Sequence, residues 1–128
     1  MINYGFIKLV DGDFQSIVNR VKELLKNQGF GILTEIDVKE KFKEKLNKDF
    51  KKYVILGACN PPYAYKAIQC EENIGLFLPC NVLVYEKDDK IAVSIIKPKT
   101  AMSMIDNDEL KSVAEEIEER LKIVYENI

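Results

Sequence analysis

Histidine is missing from this 128-residue sequence, and its absence removes a large part of enzyme chemistry at once. A nucleophile triad built on imidazole, a His-ligated zinc ion and an imidazole acid–base pair are all impossible within one such chain. An excess of either charge is missing too: 19 basic and 21 acidic residues leave a net −2. That balance lacks the basic footprint that binding to nucleic acid or to an anionic membrane requires, so neither is an expected partner. Long apolar runs are also absent. The longest, Ile74 to Tyr85, is broken by Gly75, Pro79 and Asn81 and falls short of the roughly 18 residues that span a bilayer. The first residues, Met1-Ile2-Asn3-Tyr4-Gly5-Phe6-Ile7-Lys8, show no basic segment ahead of an apolar one, so no signal peptide is expected and the expected location is cytoplasmic. The few glycines form neither G-x-x-x-x-G-K-[ST] nor G-x-G-x-x-G, which leaves no phosphate loop. Three cysteines, an odd number without secretory context, read as reduced thiols.

What is present describes one soluble domain over residues 1–128, with 47% hydrophobic and 31% charged residues. Tyr4–Val10 predicts a strand that stops at Asp11-Gly12-Asp13. Asp13 then caps a helix whose Phe14, Ile17, Val18, Val21, Leu24 and Leu25 recur at helical spacing up to Gly29. Residues 30–36 return as a strand, and Asp37 with Glu40 forms a capping box for a second helix carrying Val38, Phe42 and Leu46. The run Tyr53–Cys59 has strand length and reads as buried on both faces. Asn60 as cap and Pro61 as first helical residue predict a third helix, Tyr63 to Glu71. Leu76–Leu78 rises as extended chain to Pro79, and Val82–Tyr85 and Ile91–Ile96 form a β-hairpin closed by Pro98. Asp106 or Asn107 starts a last helix with the stripe Leu110, Val113, Ala114, Ile117, Leu121, Val124 and Tyr125. The order β-α-β-α-β-α-β-β-α predicts an α+β domain with a mixed, mostly antiparallel sheet and helices on one face. The opening strand-helix-strand favours a parallel crossover. The other face of such a sheet lacks cover, and self-association into a homo-oligomer, a dimer at least, is expected to supply it.

Two Cys-Asn pairs stand out: Cys59-Asn60 running into Pro61-Pro62, and Pro79-Cys80-Asn81 at the start of a strand. Each sits where a hydrophobic strand meets a breaker, so two thiols and two amides are placed to line one end of a sheet. A thiol at a helix N-terminus gains thiolate character from the dipole and free N–H groups; a buried cysteine is simply a small hydrophobe. Cys70, mid-helix and without a motif, takes the second reading. The spacing of Cys59 and Cys80 is no C-x-x-C, and two thiols leave a zinc ion two ligands short. Asn60 and Asn81 serve as caps and turn residues or as ligand-binding amides. Glu35 and Asp37 project to one side of a strand, as an acid–base or cation-binding pair, unless Asp37 is only a cap.

Three ordered blocks carry a resemblance: Gly29-Phe30-Gly31-Ile32-Leu33-Thr34-Glu35-Ile36-Asp37-Val38, Tyr53-Val54-Ile55-Leu56-Gly57-Ala58-Cys59-Asn60-Pro61, and Gly75-Leu76-Phe77-Leu78-Pro79-Cys80-Asn81-Val82. Together they resemble the prokaryotic family known as domain of unknown function 302. The resemblance implies a compact, homo-oligomeric α+β domain and brings no activity and no cofactor with it. The expectation is therefore a small cytoplasmic binding or accessory module, its small-molecule ligand held by Cys59, Asn60, Cys80, Asn81 and Glu35, with no catalytic or metal-binding residue assigned. The alternatives are a thiol enzyme or redox protein using Cys59 with Cys80, and a purely structural oligomeric domain.

Overall fold

The computed structural model describes residues 2–128. Its strands are β1 (Gly5–Val10), β2 (Gly31–Asp37), β3 (Tyr53–Cys59), β4 (Cys80–Lys87) and β5 (Lys90–Ile96). Its helices are α1 (Phe14–Asn27), α2 (Val38–Leu46), α3 (Pro61–Cys70), the single turn α4 (Pro98–Ala101) and α5 (Asp108–Glu126), with a 3₁₀ segment over Glu72–Phe77. The chain is an α+β domain on one five-stranded sheet in the order β1-β5-β4-β3-β2. Every neighbouring pair is antiparallel, so the expected parallel pairing does not form. β1 and β2 do run in the same direction, but at opposite edges with three strands between them. Helix α1 therefore carries the chain across the whole sheet rather than to the adjacent strand.

Local chemistry sets the helix limits. Asp13 caps α1 by accepting from the Ser16 N–H at 3.0 Å, and Gly29 beyond its end has φ of 87°, a left-handed conformation that suits glycine. Asn107 caps α5 through a 3.0 Å bond from the Leu110 N–H. The sheet's alternation divides its two faces. On one lie Val54, Leu56 and Ala58, then Val82 and Val84, then Ile91, Val93 and Ile95, all buried. The α1 residues Val18, Val21 and Leu25 and the α5 residues Leu110, Val113, Ala114, Ile117, Leu121 and Val124 complete that core. The α5 stripe is the one its spacing predicted.

The opposite face carries Ile7, Leu9, Ile36, Ile55, Leu83, Ile96, Tyr53 and Tyr85 by register, none of them fully buried, and the small Ala92 between Leu9 and Tyr85, which is. β3 is thus sealed on one side only, not on both as its apolar run suggested. Helix α2 departs from the helical layer. It has no buried residue, and Phe42 meets Phe50 at 5.2 Å, which meets Tyr53 at 6.3 Å at the rim of this open face. The segment before Pro79 also differs from expectation: the 3₁₀ turn over Glu72–Phe77 seats Ile74 in the core, and extended chain does not begin until Leu78.

Candidate functional site

The two Cys-Asn pairs meet at one end of the sheet, where Ala58 lies opposite Cys80. They do not converge on one pocket. Cys80 shares the buried face with Ala58, and Cys59, one residue on, alternates to the open face. Thiols on opposite faces cannot be bridged without moving the backbone. Cys80 is 5% exposed, and burial, with a smaller push from Cys59, raises its thiol to about 12. Burial raises the Cys59 thiol as well. The helix-terminal stabilisation of a thiolate is therefore outweighed at Cys59 by desolvation. Cys70 is raised too, by desolvation and by its S–H bond to the Glu109 Oε2 at 3.5 Å.

The two asparagines part in the same way. Asn81 is exposed on the open face opposite Gly57, in a shallow recess of about 220 Å³ with Tyr4, Leu83, Ser94 and Ile96. Gly57 is required there, since a Cβ would run into the Thr34 hydroxyl and lie 2.9 Å from Pro79 Cγ. Asn60, at 8% exposure, is the one buried polar residue among those described. It occupies the cap position of α3 without capping it. Pro61 and Pro62 fill the first two helical positions and offer no N–H; the Asn60 Nδ2 instead donates to the Gln28 carbonyl at 3.1 Å. The amide thus ties the end of α1 to the start of α3. Gly29 makes room for it, because a Cβ there would lie 3.1 Å from Nδ2.

Above this tie lies a cleft of about 440 Å³ lined by Asn27, Gln28, Gly29, Asn60, Pro62, Tyr63, Lys66 and Arg120. The size is that of a small-molecule site. Arg120 Nε donates to the Tyr63 hydroxyl at 3.1 Å, and its guanidinium lies 5.7 Å from the Tyr63 ring centre. Lys66 Nζ lies 5.8 Å from the same ring. Residues from α1, α3 and α5 meet here. Sequence reasoning found Asn60 but missed Tyr63, Lys66 and Arg120, since nothing in the spacing of α3 and α5 says which of their exposed faces meet.

Glu35 sits apart from both pairs. It forms an ion pair with Lys22 and shares a recess of about 230 Å³ with Asp13, Asp37, Lys39 and Lys52. The carboxylates of Glu35 and Asp37 do project to one side of β2, but Asp37 is engaged as the α2 cap, accepting from the Glu40 N–H at 3.0 Å. Among the described residues, no three acidic or thiol side chains are grouped to hold a metal ion.

Comparison with known proteins places the whole chain. Residues 6–128 match the family described as "Domain of unknown function DUF302". A solved structure, the "uncharacterized conserved protein DUF302 from Bacillus stearothermophilus", is 32% identical, superposes with a TM-score of 0.90 and matches over 98% of each chain. No curated protein matches. No helix among the described residues is long and apolar enough to cross a membrane.

Proposed function

The chain belongs to the DUF302 family, and we propose that it is a cytoplasmic, homodimeric binding module that holds a small molecule in the Asn60 cleft and performs no thiol chemistry. The observation that carries the reading is the contrast between the two kinds of motif residue. The thiols sit where burial opposes ionisation, in Cys80 up to about 12, whereas Asn60 is buried at the foot of a cleft of about 440 Å³. A thiol enzyme needs its nucleophile as thiolate near neutral pH.

The dimer half of the proposal rests on the open sheet face. Its apolar side chains are interrupted by Thr34, Asn81 and Ser94, with charge reaching it at Lys87 and Lys90 by the hairpin turn and at Lys51, whose ammonium lies 5.0 Å from the Tyr85 ring centre. A mainly apolar face with its few charges at one end suits a second copy of itself better than a charged partner. Five strands about 4.8 Å apart and about 20 Å long present roughly 500 Å² per copy, so a pair buries about 1,000 Å², the least that a biological interface needs.

The binding half is tested by thermal shift against a panel of neutral, cationic and anionic metabolites, repeated on Asn60→Ala. A ligand at one hundred times its Kd adds about 2.7 kcal/mol of stability. The expected result is a shift present in wild type and lost in the variant. Shifts of equal size in both proteins overturn the cleft as the site.

A further inference from the structure

We propose that the Asn60 cleft selects ligands bearing a phosphate or carboxylate group, held between Lys66, the Tyr63 hydroxyl and Arg120. This rests on the reading of the cleft as the binding site and adds the chemical class of the ligand.

The first observation is that the cations here are uncompensated. Among the described residues only five of the 19 basic side chains, Lys22, Lys41, Lys43, Lys90 and Lys99, have a carboxylate within 4.0 Å, so it is the meeting of two unpaired cations at one cleft that matters here. Among the described residues, Lys66 and Arg120 have none, although Glu116 and Glu119 are close to Arg120 along α5. Arg120 turns to the Tyr63 hydroxyl and ring instead. Two positive charges beside one ring, in a cleft with no carboxylate in its lining, make a field that an anion relieves.

The second observation is the supply of donors. With Nε bound to Tyr63, the guanidinium keeps four N–H groups, in the planar fork that matches phosphate and carboxylate. The Tyr63 oxygen accepts from Arg120, so its own hydrogen is left to donate. The bond to the Tyr63 hydroxyl and the nearby ring hold the guanidinium in place before a ligand arrives, which lowers the ordering cost of binding.

The third is Asn60. Its Nδ2 is committed to Gln28, while its Oδ1 takes no hydrogen bond from any described residue. Asn60 lines the cleft, and its side-chain oxygen is an acceptor that a donor on the ligand can use. A ligand that carries a hydroxyl or amine beside its phosphate or carboxylate can use this acceptor as well. The other clefts lack this combination. The groove of about 600 Å³ beside α2 is lined by carboxylates of Asp37, Glu40, Glu44 and Asp49 among its lysines, and Lys43 is already paired with Asp49.

The test is an amide NMR titration of the intact protein at constant ionic strength. The probes are inorganic phosphate, glycerol 3-phosphate, lactate and, as an uncharged control, glycerol. The expected result is saturable shifts confined to Asn27–Gly29, Tyr63, Lys66 and Arg120 with the phosphates or with lactate, and none with glycerol. Which arm is tighter decides between phosphate and carboxylate. Lys66→Gln and Arg120→Gln should each weaken binding at least tenfold. Lys99→Gln, remote and paired with Glu115, should not change it. Lys66 is exposed and, among the described residues, makes no hydrogen bond or ion pair, so its variant keeps the test valid if loss of Arg120 disturbs the α3–α5 seam. Shifts that never saturate, that scatter over basic residues elsewhere, or that persist in Lys66→Gln overturn the proposal. If neutral ligands bind in an Asn60-dependent way while these anions do not, the binding-module reading stands and the anion class falls.

Discussion

Cys80 shows how one side chain's surroundings override its local position. Its thiol faces the core and keeps its proton to about pH 12, against 9.0 for a free thiol. The unfolded chain therefore releases that proton first, and the stability tied to the neutral thiol is whole below pH 9 and falls as pH rises toward 12. For this single group the slope reaches about 1.4 kcal/mol per pH unit. Urea midpoints at pH 8 and pH 10.5 should fall more steeply for wild type than for Cys80→Ala; parallel losses would show that the thiol reaches water. Alkylation of the native protein at pH 8 should likewise spare Cys80 until unfolding and be slow at Cys59. Fast modification of Cys59 would restore the thiol-enzyme alternative. At Gly57 the constraint is steric. Gly57→Ala presses a methyl group on Thr34 and Pro79 and should destabilise by about 1–3 kcal/mol, readable as a shift in urea midpoint at unchanged slope.

Among the elements, α5 and α2 mark the extremes. The α5 stripe is sealed into the core, with Leu121 fully buried, so Leu121→Ala should cost about 2–5 kcal/mol and Leu121→Asp should leave no folded protein. A soluble Leu121→Asp variant with wild-type melting would contradict the packing. Helix α2 contributes no buried residue and is held by its Asp37 cap and the Phe42–Phe50 contact. Few buried contacts mean a low local opening energy. Amide exchange in α2 should run orders of magnitude faster than in α5, and equal protection would mean that α2 is covered in solution.

At the scale of the whole molecule, one face of the sheet is sealed by α1 and α5 and the other is only half covered. That asymmetry has a measurable consequence. Sedimentation at low micromolar concentration should give a species of twice 14.7 kDa, and Leu83→Lys or Ile55→Lys, each placing a charge mid-face, should return it to monomer without unfolding it. A wild-type monomer at every concentration would rule out the open face as an interface. Because the Asn60 cleft lies at the α1–α3–α5 seam and not on that face, these variants should keep ligand binding.

The sequence alone determined whatever depends on neighbours along the chain. Asp13 and Asn107 cap the helices that their spacing predicted, and the stripe from Leu110 to Val124 is buried as its period required, since caps and amphipathic faces are local rules. The lack of histidine excluded imidazole chemistry outright, and the three blocks through Thr34, Cys59 and Cys80 carried the family. Only the tertiary structure decided what depends on pairing at a distance. Helix α1 crosses three strands instead of leading to the adjacent one, which no periodicity encodes. Register sends Cys59 and Cys80 to opposite faces, because a step of one residue reverses a strand's side chains. Pro61 and Pro62 remove the N–H groups nearest the cap, and Gly29 opens the space in which Asn60 reaches Gln28. Lys66, Tyr63 and Arg120 meet only because α3 and α5 pack side by side. The 53 residues between Lys66 and Arg120 carry no sign of it, since the contact is made by exposed side chains that no hydrophobic pattern constrains.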